Sequence, residues 1–348
     1  MIPTKASDDR AVVLPWISVI VPVRNEAASI ERTLDGLLSQ DYDPARWEVL
    51  VVDGQSSDGT AALAQRVAEW HPAVRVLTNP RWLSSSARNL GIQAARGEIA
   101  LIIDGHCEIG DDQYLRHVAA AFERSGADCV GRPQPLDVSD ATSLQRAIAA
   151  ARSSWLGHHP RSRVYSTEAG IVPAASVAVA YRRAVFDKIG RFDERFDACE
   201  DVELNYRIDR AGLRCYFAPE LAVRYRPRAS LLGLFVQLVR YGRGRMRLLR
   251  KHPGTVSPGT LAPLLFTVGL GAGAPLGLAA SWLLDVYLAA GAFYTLVVMV
   301  VSVRLSLRRR SGRLFVWLPI VFLTVHLAAG VGMLMELLGP RRMPETKR

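Results

Sequence analysis

Two short apolar runs in this chain stop at the same dipeptide. Val49-Leu50-Val51-Val52 ends at Asp53-Gly54, and Ile99-Ala100-Leu101-Ile102-Ile103 ends at Asp104-Gly105-His106. Short apolar runs bounded by turn formers read as buried strands. An acid that ends such a strand lies at the carboxyl edge of the sheet, where open α/β sheets take their ligands. Asp-Gly is also an ordinary turn former, and either pair alone fits that reading. Both together, with His106 just past the second acid, suit a divalent cation and a nucleotide.

The surrounding sequence supplies the rest of such a sheet. Residues 17–23 read as a strand, followed by Ile30, Leu34, Leu37 and Leu38 at helical spacing. A helix with Leu63, Val67 and Trp70 on one face follows the second strand, then a strand at 74–77 and a short helix at 86–95. Asp112 can cap a helix running through Phe122, 128–131 reads as a strand, and 132–172 as a loop. Residues 176–181 alternate like a strand, and 200–211 form a helix that Gly212 stops. Strand–helix alternation at this spacing predicts an α/β fold with a mainly parallel, twisted sheet.

Near residue 225 the composition changes. From Arg224 to Pro258 there are nine Arg or Lys residues and no acid. The segment 230–251 is amphipathic: Gln237, Arg240, Arg243, Arg247 and Arg250 form a polar stripe, with Leu231, Leu234, Phe235, Leu238 and Leu248 on other faces. Such a helix can lie in the headgroup layer with its arginines up. Residues 283–303 and 314–338 are each long and apolar enough to cross a bilayer. Residues 261–281, broken by Pro263 and Pro275, count as a third span. The net charge of +10 therefore points to a membrane surface and not to nucleic acid, because the cations flank apolar sequence. The chain divides into an α/β domain (1–225), a basic interfacial segment (226–258), a membrane region (259–340) and a basic tail (341–348). Three spans after a cytoplasmic domain put residues 304–313 in the cytoplasm and the tail outside.

The remaining polar features carry less. Cys107, Cys129, Cys199 and Cys215 show no CxxC spacing and read as free thiols. His158-His159 lacks further ligands nearby and reads as a loop feature beside Pro160. His326 and Glu336 lie inside an apolar span and need partners, through helix packing or headgroups. The mostly polar start argues against a signal peptide.

Several motifs in order resemble family-2 glycosyltransferases of the GT-A fold. They are Val21-Pro22-Val23-Arg24-Asn25-Glu26, Val52-Asp53-Gly54-Gln55-Ser56-Ser57-Asp58-Gly59-Thr60 and Asp104-Gly105-His106, which stands where the family has Asp-x-Asp. Phe192-Asp193-Glu194, Glu200-Asp201-Val202-Glu203-Leu204-Asn205-Tyr206-Arg207 and Tyr225-Arg226-Pro227-Arg228 resemble the succinoglycan-biosynthesis glucosyltransferase branch, in which histidine commonly takes the third place. The likeness spans about residues 15–255.

The resemblance implies roles. Pro22, Arg24, Asn25, Glu26, Asp53, Arg88 and Asp104 would bind a nucleotide sugar, a UDP-sugar in this branch. Asp104 and His106 would hold a divalent metal, with imidazole favouring Mn2+ over Mg2+. Asp201 would be the base of an inverting transfer, beside Glu200. The same Asp also suits a helix start. Gln237-Leu238-Val239-Arg240-Tyr241 resembles the Gln-x-x-Arg-Trp element that borders the acceptor and diphosphate in polysaccharide synthases, with Tyr241 for Trp. Three spans cannot easily enclose a polymer channel, so a single addition is expected. The resemblance thus implies a multi-pass plasma-membrane enzyme with a cytoplasmic catalytic domain, moving a hexose to a lipid-linked saccharide. Transfer to a polyprenyl phosphate stays open as the alternative. A nicotinamide dehydrogenase is excluded by the absence of a glycine-rich turn after the first strand.

Overall fold

In the computed structural model, which describes residues 14–158 and 163–339, the first half alternates strand and helix. It runs β1 (Ile17–Val23), α1 (Ile30–Leu38), β2 (Trp47–Asp53), α2 (Thr60–Trp70), β3 (Val74–Thr78), α3 (Ser84–Ala94) and β4 (Ile99–Ile102). There follow β5 (Cys107–Glu108), α4 (Tyr114–Ser125), β6 (Cys129–Gly131), α5 (Ser143–Arg152), β7 (Gly170–Val172), β8 (Ala178–Arg182), α6 (Arg183–Ile189), α7 (Glu200–Arg210), β9 (Cys215–Phe217) and β10 (Arg224–Tyr225). Four helices close the described chain: α8 (Leu231–Lys251), α9 (Pro258–Ala279), α10 (Ser281–Arg308) and α11 (Gly312–Leu338).

Strands β3, β2, β1 and β4 lie side by side and parallel. Beyond β4 the order is β8, β6, β9, β7, with β8 antiparallel to both its neighbours. Val19, Val49 and Leu101 turn to one face against Leu34, Leu37 and Phe122. Ile20, Leu50 and Ile102 turn to the other, in one cluster with Ile92, Phe186 and Leu204. Helices on both faces explain why these strands are apolar at every position instead of alternating. The register pairs Asp53 with Val23, so β1 and β2 deliver their last residues to one rim.

Local expectations fail where tertiary contacts decide. Leu63 and Val67 of α2 pack on the core, but Trp70 is 81% exposed in the last turn. Helix α4 starts at Tyr114, and Asp111, not Asp112, accepts from the Gln113 N–H at its entry. The stretch expected as loop holds α5 and β7, and α5 carries a complete capping box between Thr142 and Gln145. Ser176 belongs to a 3₁₀ turn, and β8 begins at Ala178. His159 and the tail beyond Gly339 lie outside the described residues.

Two helices among the described residues, α10 and α11, are long and apolar enough to cross a membrane. At ~1.5 Å per residue the 28 residues of α10 reach about 42 Å, longer than a hydrocarbon core of ~30 Å. The expected first span, α9, does not join them. It carries Pro263 and Pro275 internally and begins on the wall of the main cavity, at Thr260.

Helix α11 packs on α8 and α5, and the greater part of its apolar surface stays unburied. A Cβ on Gly242 would lie 2.1 Å from the Ala329 carbonyl, and one on Gly332 2.1 Å from the Val239 carbonyl, so both glycines let α8 and α11 meet backbone to backbone. Ala147 and Ile148 of α5 share an apolar cluster with Leu318, Val321 and Phe322 of α11. The polar groups of α11 are partnered: His326 bonds Tyr294 Oη (3.0 Å) and the Leu156 carbonyl (2.9 Å), and Glu336 pairs with Arg243 and Arg247. The arginine stripe of α8 therefore does not simply face headgroups. Arg240 and Arg250 donate to the Asp197 and Leu337 carbonyls, partners too far along the chain for helical periodicity to show. The C-terminal end of α11 therefore packs against α8, beside the Asp197 turn, while the expectation for the tail falls on residues outside those described.

Gly332→Ala forces a methyl group into the Val239 carbonyl. Overpacking of this kind costs about 1–3 kcal/mol. The melting temperature in detergent should fall, while Gly291→Ala, with open space around its added methyl group, should leave it unchanged.

Candidate active site

The loop after β1 and the loop after β2 are stitched together at the sheet rim. Asn25, in the left-handed region at φ 57°, accepts from the Ser57 N–H (2.8 Å) and donates its own N–H to Ser56 Oγ (2.9 Å). The Asp53 carboxylate accepts from Ser56 Oγ (2.5 Å) and the Ser56 N–H (3.1 Å). Glu26 donates its N–H to Thr60 Oγ1. Arg24 lies over the Trp82 ring, whose indole N–H bonds Gln55. Pro22, Arg24, Asn25 and Asp53 thus form one rim, outside the main cavity.

The turn after β4 is fixed by close packing. A Cβ on Gly105 would fall 2.5 Å from Val23 Cγ1, so a larger residue would push the turn off β1. Thr33 Oγ1 lies 3.0 Å from both the Gly105 and Cys107 carbonyls. This turn presents Asp104 and His106. The His106 Nδ1 lies 2.9 Å from Glu26 Oε1, and the ring meets Tyr225 edge-on at 4.9 Å. Burial acts to lower the His106 pKa, but the Glu26 hydrogen bond and the charges of Asp104 and Glu26 outweigh it and hold it above the ordinary value.

Arg88, buried on α3, joins two elements. It contacts Asp104 (3.4 Å) at the end of β4 and Glu200 (3.1 Å) at the start of α7. Burial acts to raise the Asp104 pKa, but Arg88, His106 and Arg132 hold it below the carboxylate norm. For Glu200 burial prevails over Arg88, with Asp201 adding to the rise. Cys199, at φ 62°, is the cap position of α7, so Asp201 lies inside the first turn and its carboxylate accepts from the Val202 N–H (2.8 Å).

One cavity of about 650 Å³ collects Arg88, Asp104, His106, Glu200, Asp201, Gln237, Arg240 and Tyr241. Gln237 donates to Tyr225 Oη (3.4 Å) and accepts from Arg228 (3.2 Å). Glu26 and His106 also line a smaller hollow of about 230 Å³ beside it. The sequence reading missed Arg132, which lines the main cavity almost fully buried, bonding Tyr114 Oη and the Ile102 carbonyl. It stands directly after an apolar strand, the same position that singled out Asp53 and Asp104.

Residues 18–190 match the Glycosyl transferase family 2 profile. Succinoglycan biosynthesis protein ExoA of Rhizobium meliloti is 33% identical over 255 residues, 71% of this chain and 76% of that one. This chain belongs to glycosyltransferase family 2, near the succinoglycan branch. A dolichyl N-acetyl-alpha-D-glucosaminyl phosphate 3-beta-D-2,3-diacetamido-2,3-dideoxy-beta-D-glucuronosyltransferase of Methanococcus voltae is 23% identical over 91% of this chain and 95% of its own length. Among solved structures, mannosyltransferase PcManGT from Pyrobaculum calidifontis, in complex with GDP-Man and Mn2+, aligns with a TM-score of 0.56 at 22% identity. That alignment covers 94% of this chain and 88% of PcManGT, and bears out the GT-A-like α/β fold with C-terminal helices.

Arg88→Ala leaves the Glu200 carboxylate buried without its cation. Breaking a buried pair from one side costs about 3–5 kcal/mol. A large drop in melting temperature is expected, and Arg88→Ala combined with Glu200→Gln should recover part of it.

Proposed function

We propose that this glycosyltransferase is membrane-anchored and inverting, and moves a hexose from a nucleotide sugar, a UDP-sugar by branch, to a lipid-linked saccharide acceptor. The observation that carries the reading is the single cavity in which Asp104 and His106 share walls with Asp201, Gln237, Arg240 and Tyr241. On this reading Pro22, Arg24, Asn25, Glu26 and Asp53 receive the base and ribose, with Arg88 bracing Asp104. The acceptor enters between α7 and α8, where Gln237, Arg240 and Tyr241 border it.

Asp104 and His106 would hold the divalent metal, Mn2+ or Mg2+. Two protein ligands suit an ion whose other positions are taken by phosphate oxygens and water. The donor chemistry fits: Glu26 holds His106 Nδ1, which leaves Nε2 available, the carboxylate–histidine arrangement that orients metal-binding imidazoles. A bound ion would neutralise the charge of the departing diphosphate. Asp201 takes the proton from the acceptor hydroxyl as that oxygen attacks the anomeric carbon from the face opposite the nucleotide, which inverts the configuration. Glu200, tied to Arg88, positions the turn and not the proton.

Asp201→Asn keeps an oxygen that can accept from the Val202 N–H, so the fold should survive. Losing a general base typically removes about 10²–10⁴-fold in rate. A panel of radiolabelled sugar nucleotides with native membranes and Mn2+ identifies the donor. Asp201→Asn should then turn over at least about a hundredfold more slowly at unchanged melting temperature. Wild-type turnover in that variant overturns the assignment. His106→Ala should weaken Mn2+ binding measured by calorimetry, and normal Mn2+ affinity there removes it from the metal site.

The catalytic domain is assigned to the cytoplasmic face, held at the plasma membrane by α10 and by the face of α11 that α5 and α8 leave exposed. The four native cysteines are buried, so a cysteine at Gly339 can report its side alone. An impermeant maleimide should label Gly339→Cys in inverted vesicles and spare it in intact cells. Labelling in intact cells refutes this orientation.

A further inference from the structure

Helix α11 carries one acid, Glu336, in an otherwise apolar segment. A carboxylate there is costly without a partner. Its partner is Arg247 of α8, which meets it with a two-pronged contact: Nε to Oε1 at 2.9 Å and Nη2 to Oε2 at 3.0 Å. Arg243 adds a third contact at 3.2 Å. With one edge of its guanidinium held by Glu336, Arg247 turns Nη1 the other way, to Asp197 Oδ1 at 2.6 Å and to the Arg195 carbonyl at 3.2 Å. Arg247 and Glu336 are 13% and 12% exposed, so solvent screens this relay weakly.

The receiving end of the relay is the turn that leads into α7. Arg240 donates to the Asp197 carbonyl (3.0 Å), and a Cβ on Gly244 would lie 2.4 Å from the Ala198 carbonyl, so α8 sits directly on this turn. Cys199 follows in left-handed geometry, and then Glu200 and Asp201. Asp197 and Asp201 line the same cavity. Among the described residues, Arg247 is the one cation in an ion pair with the Asp197 carboxylate.

We infer that Glu336 and Arg247 are positioning residues: the relay from α11 through α8 to Asp197 sets the height and tilt of the 195–201 turn, and hence where Asp201 meets the acceptor. The inference rests on the proposed role of Asp201. It makes turnover depend on docking of the last apolar helix, although α11 touches no substrate. Glu336→Gln keeps the shape but presents an amide N–H to a guanidinium, so Arg247 loses half of its two-pronged contact and its orientation. Arg247→Lys keeps the charge but, as a single point donor, cannot serve Glu336 and Asp197 with the same geometry.

The test uses the full chain in lipid nanodiscs. Hydrogen exchange read by mass spectrometry on peptides spanning residues 193–203 needs no substrate. Exchange should rise there in Glu336→Gln and Arg247→Ala, remain low over β1–β4, and stay unchanged in Arg309→Ala. Turnover, measured with UDP-glucose or the donor that the nucleotide-sugar panel identifies, should fall about 10–100-fold in kcat, the loss that misplacing a catalytic group produces. The donor KM should stay within about twofold, because the turn acts on the acceptor side. Arg247→Lys should fall between wild type and Arg247→Ala. Glu336→Gln combined with Asp197→Asn should be no worse than Asp197→Asn alone, since both act through Arg247. Unchanged exchange and unchanged kcat in Glu336→Gln overturn the inference. So does a uniform rise in exchange with kcat and KM lost together, which makes the relay a fold contact only. Absence of turnover from wild type with every sugar nucleotide counts against the proposed function instead, and the exchange result still judges the relay.

Discussion

A single buried guanidinium holds the two halves of this site together. Arg88 stands on α3, reaches Asp104 at the end of a parallel strand and Glu200 at the first position of a helix more than a hundred residues later. The buried Glu200 carboxylate would be costly to keep charged unaided, since the cost of removing an ion from water exceeds what a lone hydrogen bond returns. The cation therefore fixes a distance: the sheet edge at Asp104 and the start of α7 at Glu200 cannot drift apart. The cavity between them keeps its shape because its walls share a charge.

The second constraint is steric. Gly105 lets the His106 turn settle on Val23, Gly244 lets α8 rest on the 198 carbonyl, and Gly242 and Gly332 let α8 and α11 touch through their backbones. Close approach of this kind gives the hydrogen bonds between α8 and its neighbours short, fixed geometry. Long flexible side chains such as Arg247 then lose less freedom on binding, because the helices that carry their partners are already set.

Much of this was legible in the sequence. Strands buried on both faces are continuous apolar runs, so the acids that end them stand out, and Asp53, Asp104 and the parallel half of the sheet follow. The order of motifs identified the family, which the ExoA likeness bears out. Other features were hidden because their causes are distant in sequence. The arginines of α8 read as headgroup ligands until Glu336 and the Asp197 carbonyl were seen beside them. Trp70 obeys helical spacing, but the core ends one turn earlier. Helix α5 falls in a stretch that reads as loop despite Thr142 and Gln145, since its small apolar residues share their cluster chiefly with α8, α10 and α11, far along the chain. Apolarity alone does not tell α9 from α10, because a helix that starts on a cavity wall and one long and apolar enough to cross a membrane draw on the same residues.

The bond between His326 and the Leu156 carbonyl spans 170 residues of chain. A ribosome making this protein finishes the Asp104 rim early, and that part can collapse on local contacts. The turn before Asp201 must wait, since its counterweight on α11 is synthesised more than a hundred residues later. Contacts of such sequence separation form late and slowly. During synthesis, then, the chain passes through a period in which the Asp104 rim is formed and the Asp201 turn is not. A nascent chain in that condition has one wall of the cavity without the other, so the site is complete only once α11 has docked.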